Sequence, residues 1–245
     1  MKKKLILFFI SLLVMQSCVM NSEIVYHRDA ASTSVIDFDT REFMAEMKAM
    51  TPDSLQQNEF KDFDKLPTSW ISLYDLEKQE GKLSTHNQDS IKIMKKIFMK
   101  NKKENNESVG FTFKMEHFTR DDYQIMKSFN KEEKLPADQN IFNEWDGKTL
   151  VINSESFNLK NIEEALRSKS PKEEADRIPG MMGMFFRKIS TTLRFENKIK
   201  SVTGQHDWLK QTDDYSVKID YDLKAMYNKK TKLKHADEKI IIVTE

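Results

Sequence analysis

The chain has little of what staples or punctuates a fold: one Cys, five Pro and six Gly in 245 residues. A single Cys excludes an intramolecular disulfide framework and a Cys-based zinc cluster. So few Pro and Gly exclude collagen-like and Gly-rich low-complexity character. Charge of one sign is missing too. Forty Lys and Arg face 39 Asp and Glu, a formal charge of +1, which removes the global electrostatic case for a nucleic-acid partner. The N-terminal apolar run, Leu5 to Met15, is broken by Ser11. It is too short for a bilayer core of ~30 Å, which needs roughly 20 helical residues. What is present is 38% hydrophobic residues, with 16 Phe and 14 Met, enough for one sizeable core.

Lys2, Lys3 and Lys4 lead the apolar run, and Gln16, Ser17 and Cys18 follow it. A basic head, a short apolar stretch and a small residue before the cut make a secretory signal peptide. A buried N-terminal helix would instead carry a polar face. Met15-Gln16-Ser17-Cys18 resembles a bacterial lipobox, with Ser17 and Cys18 as that pattern expects and Gln16 departing from it. The resemblance implies cleavage between Ser17 and Cys18, a diacylglycerol thioether on Cys18 and a fatty acyl group such as palmitate on the new amine. The alternative is an ordinary signal peptide that leaves a free thiol. Several acyl chains hold a membrane firmly where one does so marginally, since each buried CH₂ contributes about 0.8 kcal/mol. Cleavage removes three Lys and no acid, so the mature balance is −2. Val19 in place of Asp after Cys18 points to the outer membrane. The sparse acidic residues beyond it, Glu23 being the first, favour the periplasmic face over the cell surface.

Residues 18–22 are expected as a lipidated tether and 23–245 as a single α+β domain, with a polar irregular segment at about 51–84. Glu23–His27 and Ser32–Phe38 read as strands around a turn. Asp39 or Thr40 would cap a helix with Phe43, Met44, Met47 and Met50 on one face. Ile91, Met94, Ile97 and Phe98 share a stripe that predicts a helix over Asn87–Lys100, and Lys100–Glu107 then reads as a solvated loop. Phe111, Phe113 and Met115 alternate with polar residues as a half-buried strand does, and a helix follows from Asp121. Asp146-Gly147 supplies the positive φ of a tight hairpin. Two short helices are expected over 161–169 and 171–177. Strands follow at Ile189–Phe195, Ile199–Val202, Tyr215–Tyr221 and Lys239–Val243. Without a βαβ rhythm, this predicts an antiparallel sheet of hairpins with several helices packed on it.

Two stretches together resemble a group of Bacteroidetes-type envelope lipoproteins. The first runs from Cys18 through the strand-turn-strand to the Met-rich helix with Met44, Met47 and Met50. The second is Phe195–Val202 with Asp213–Leu223. A similar strand arrangement occurs in LppM-like envelope lipoproteins. Arg28-Asp29-Ala30-Ala31 replaces the group's Gly-rich turn, and Glu196 stands where Pro is usual. The resemblance implies export and a domain type, and it carries no activity.

No nucleophile elbow, phosphate loop, HExxH pair or EF-hand is present, so no catalytic residue, cofactor or metal site is assigned. The five His have no i, i+4 spacing. His27 and His117 each fall near a strand end, where the fold could gather them, although solvent-facing histidines are the plainer account. Asp121-Asp122 and Asp213-Asp214 begin elements, which capping and turn chemistry explain. Met181, Met182, Met184, Phe185 and Phe186 form the densest apolar cluster, a candidate hydrophobic-ligand surface or an adaptable piece of core. Lys92, Lys95, Lys96, Lys100, Lys102 and Lys103 form a local basic patch that could meet lipid headgroups near the anchor, although a solvated helix face or loop is the plainer account. The sequence therefore favours a non-enzymatic, lipid-anchored envelope protein that binds a protein partner or supports envelope assembly. The competing reading is a periplasmic carrier of a lipid or other hydrophobic ligand.

Overall fold

The computed structural model describes residues 18–42, 66–83, 85–129, 144–154, 186–223 and 232–245. They form an α+β fold of two sheets and, among the described residues, three helices. In chain order these are β1 (Cys18–Tyr26), β2 (Ser32–Asp39), β3 (Ile71–Ser72), α1 (Leu73–Gln79), α2 (Gln88–Met94), β4 (Ile97–Glu104), β5 (Glu107–Phe118) and α3 (Arg120–Phe129). There follow β6 (Glu144–Trp145), β7 (Thr149–Asn153), β8 (Phe186–Phe195), β9 (Ile199–Thr203), β10 (Leu209–Asp213), β11 (Ser216–Tyr221) and β12 (Lys239–Thr244). The larger sheet has the order β10-β11-β8-β1-β2-β5-β4-β3, and the smaller β6-β7-β12-β9.

Alternation decides which way each strand faces. Met20, Ile24 and Tyr26 of β1 are buried while Asn21 and Glu23 are exposed, and β8 and β11 repeat the pattern with Ile189, Leu193, Val217 and Ile219. Leu150, Ile152, Ile240 and Ile242 of the smaller sheet are fully buried against that face, so two sheets enclose the main core. A second core continues it. The cross-strand row Ile24–Ser34–Met115–Ile97 runs on under the helices, where Ile93, Phe118 and Met126 close over Met115 and Ile97.

Local chemistry sets the boundaries. Ser72 Oγ accepts from Asp75 N–H at the start of α1, and Asn87 Oδ1 accepts from Asp89 and Ser90 N–H at the start of α2. Asn105 and Asn106 both take positive φ, which gives the β4–β5 hairpin its two-residue turn. Gly110, at φ +155°, lets β5 pass β2 so closely that a Cβ there would lie 2.0 Å from Phe38 O.

Several expectations change. The sheet is mainly antiparallel, but its middle holds a parallel pair, β1 with β8, and a second sheet faces it. The helix expected over Asn87–Lys100 stops at Met94, and Ile97 and Phe98 begin β4. The expected loop at Lys100–Glu107 is the end of the β4–β5 hairpin. Residues 18–22, expected as a tether, are the first half of β1. Part of the segment expected to be irregular, 66–83, holds β3 and α1. The strands at 111–115, 189–195 and 239–243 occur as the pattern predicts. A hairpin does form at Asp146-Gly147, but of the two Gly147 alone takes a positive φ, and Asp146 N–H donates to Thr149 O, which puts Gly147 and Lys148 at the turn. The helices expected over 39–50, 161–169 and 171–177 lie outside the described residues, apart from the start of the first.

Candidate functional site

β1 connects two poles of the larger sheet. Cys18 stands at one end of it, half-buried, paired with Phe186 at the start of β8. Ser17, Met181, Met182, Met184 and Phe185 lie outside the described residues. The cluster expected at 181–186 is therefore seen only at Phe186, whose backbone sits beside the candidate lipidation residue.

At the other end of β1 the two histidines come together. His27 leaves β1 into a turn in which Ala30 takes a positive φ, and His117 occupies a bulge in β5 at φ 49°. The bulge sets two β5 residues against Thr33 and re-aims the His117 side chain. The two rings lie 5.2 Å apart between centroids. His27 Nδ1 is 2.8 Å from Glu196 Oε1, and His117 Nε2 is 2.8 Å from Asp29 Oδ2. Thr33 links the pair: its Oγ1 accepts from His117 N–H at 3.0 Å and lies 2.8 Å from His27 Nε2. A proton on His27 Nδ1 satisfies the line, with Thr33 donating to Nε2 and Nδ1 donating to Glu196.

Both carboxyl groups are held ionised. Glu196 is shifted below the usual glutamate range by the His27 hydrogen bond first and the Arg28 N–H second. Asp29 is lowered chiefly by the Ala31 N–H it accepts, then by His117. The cluster also fastens the two sheets: Trp145 Nε1 donates to His27 O at 2.7 Å, and its ring packs against Tyr26 and Phe195. Gly147 makes room for this, since a Cβ there would lie 2.7 Å from Arg28 O. The β10–β11 turn reaches the same pole, where Tyr215 is exposed and Lys198 pairs with Asp214. Among the described residues no three His, Cys, Asp or Glu side chains converge to hold a metal ion.

Asp122, half of the first acidic doublet, is fully buried and caps α3. Its Oδ2 accepts from Thr119 N–H and Oγ1–H, while Thr119 Oγ1 accepts from Asp122 N–H. Lys92 and Lys96 of the basic patch lie 2.8 and 2.6 Å from its two oxygens. Burial pushes its carboxyl upward, but Lys92, Lys96 and Thr119 outweigh burial and hold it well below the usual range. In the second doublet, Asp213 accepts from Tyr215 N–H in the turn and Asp214 pairs with Lys198.

The approach of His27 to His117 was open to sequence reasoning from their places at strand ends. Thr33, Asp29 and Glu196 were not singled out as their partners. One signal was available, since Glu196 occupies a turn position where the resembling group carries Pro.

No family model matches the chain, and no curated protein matches it. A solved structure that does is the folded domain of LppM from Mycobacterium tuberculosis, 8% identical with a TM-score of 0.37, covering 94% of this chain and 90% of that one. A score that low assigns neither fold nor function.

Proposed function

We propose that the mature chain is a non-enzymatic protein of the cell envelope, anchored through lipid on Cys18 to the periplasmic face of the outer membrane. Its turn-bearing pole binds a protein partner. One observation carries this reading: β1 runs unbroken from Cys18 to Tyr26, with the histidine cluster directly after it. At ~3.3 Å per residue the strand separates the anchor from the cluster by about 30 Å. Turn residues on a rigid sheet are where binding surfaces usually form. Here they include the exposed Tyr215, Asp29 and Glu196. A second reading, a carrier of a hydrophobic ligand, is favoured by the pairing of Phe186, the last residue of the 181–186 cluster, with Cys18.

Cys18→Ala should abolish palmitate labelling and release the protein from membranes, and persistent labelling would sink the anchor. Photo-crosslinking residues at Asp29 or Tyr215 should trap an envelope protein that the same residue at Lys103, near the anchor, does not. Equal trapping at both ends would count against a partner at the turn pole. A stoichiometric lipid mass on residues 19–245 in native mass spectrometry would put the carrier first.

A further inference from the structure

The outer face of the larger sheet carries an aromatic and basic patch at its β3–β4 edge. Trp70, just before β3, is 38% exposed, one of two exposed large hydrophobic residues among those described. Two ammonium groups converge on its indole, Lys100 Nζ at 4.6 Å and Lys114 Nζ at 5.1 Å from the ring centroid. Lys114 also lies 4.5 Å from the Phe98 ring, and Lys95 lies 4.9 Å from Tyr74 on the adjoining helix. Lys114 has a carboxylate partner in Glu116, at 2.8 Å. Lys100 pairs with no carboxylate among the described residues. Two like charges on one indole repel each other, and an anion between them turns that repulsion into attraction.

We propose that Trp70, Lys100 and Lys114 dock on the anionic phospholipid headgroups of the bilayer that holds the Cys18 lipid, a second contact that rests on the anchored reading above. Charge is complementary, and an indole beside lysine stems suits the boundary between headgroups and acyl chains. Position agrees. The row Asn21–Asp37–Thr112–Lys100 crosses β1 three residues from Cys18. The patch therefore lies about 10 Å along the strands and about 14 Å across them from the anchor. Anchor and patch touch one membrane plane when the strands lean toward it, with the histidine pole still raised.

The test uses the full acylated protein in phosphatidylcholine vesicles with brominated acyl chains, with and without phosphatidylglycerol. Trp70 emission is read as the difference between wild type and Trp70→Phe. Quenching should appear with phosphatidylglycerol and fade in its absence or at high salt. Each of Lys100→Ala and Lys114→Ala should lower the docked-to-lifted ratio about fivefold, as expected for a lysine at an anionic surface. Equal quenching in both vesicles, or quenching unchanged in the double variant, overturns the proposal. Intact mass separates the two readings. An acylated protein without Trp70 quenching keeps the anchor and removes the patch. An unacylated protein removes the anchor, and the patch then stands only if phosphatidylglycerol vesicles still sediment the protein through Lys100 and Lys114.

Discussion

Replacing Asp122 by Asn removes one charge and leaves an oxygen that can still accept from Thr119. The side chain is fully buried, so the loss acts on a desolvated carboxylate facing two ammonium groups. Breaking a buried ion pair costs about 3–5 kcal/mol when the abandoned charge stays buried. Here Lys92 is 52% exposed and Lys96 26%, and both heads regain water, which brings the expected loss to about 2–3 kcal/mol at neutral pH. The pH dependence has a definite sign. The folded carboxyl is lowered, so its stabilisation is complete above the unfolded value near 3.9 and is lost as pH falls through the folded value. Wild type should therefore lose up to about 1.4 kcal/mol per pH unit below pH ~4 relative to Asp122→Asn, and the two should converge. Urea unfolding followed by circular dichroism at several pH values measures both. Wild-type and variant free energies that fall in parallel below pH ~4 would refute the ionised, doubly paired carboxylate.

Two further substitutions examine the frame that holds the poles apart. Gly110→Ala puts a Cβ 2.0 Å from Phe38 O, so it should cost at least about 2 kcal/mol in urea unfolding, and a neutral result would mean β2 and β5 are not that close. Trp145→Phe keeps an aromatic ring but loses part of the indole's packing on Tyr26 and Phe195 together with the N–H donated to His27 O, for an expected loss of at least about 1–2 kcal/mol and faster amide exchange in the β1–β2 turn. Unchanged exchange there would separate Trp145 from the histidine cluster.

What the sequence made legible is what adjacent residues decide. Phe111, Phe113 and Met115 announce β5 because a half-buried strand must alternate, and Asp146-Gly147 announces its turn because few residues accept positive φ. The misreading at Asn87–Lys100 has a physical cause. The stripe Ile91, Met94, Ile97 and Phe98 crosses an element boundary: Ile91 and Met94 are only half-buried on α2, where Ile93 is the buried residue, and Ile97 and Phe98 already belong to β4. β10 escaped notice because four of its five residues are exposed and no alternation is required of them. The histidine cluster depends on β1, β2 and β5 lying side by side and on the β8–β9 turn beside them. That is register between distant segments, on which local pattern is silent.

The parallel pairing of β1 with β8 also orders events in time. Ser22 and Thr191 touch across 169 residues of chain, while β1 and β2 are joined by a short turn. Closing the long loop costs about 3 kcal/mol more in chain entropy than closing the turn. The β1–β2 hairpin is thus the early product, and the strand that completes the middle of the sheet arrives only after most of the polypeptide has been synthesised. Until then β1 offers a row of unpaired backbone groups along the flank that β8 will fill, an edge open to pairing with the wrong strand. A chain that stops short of residue 186 keeps that edge permanently.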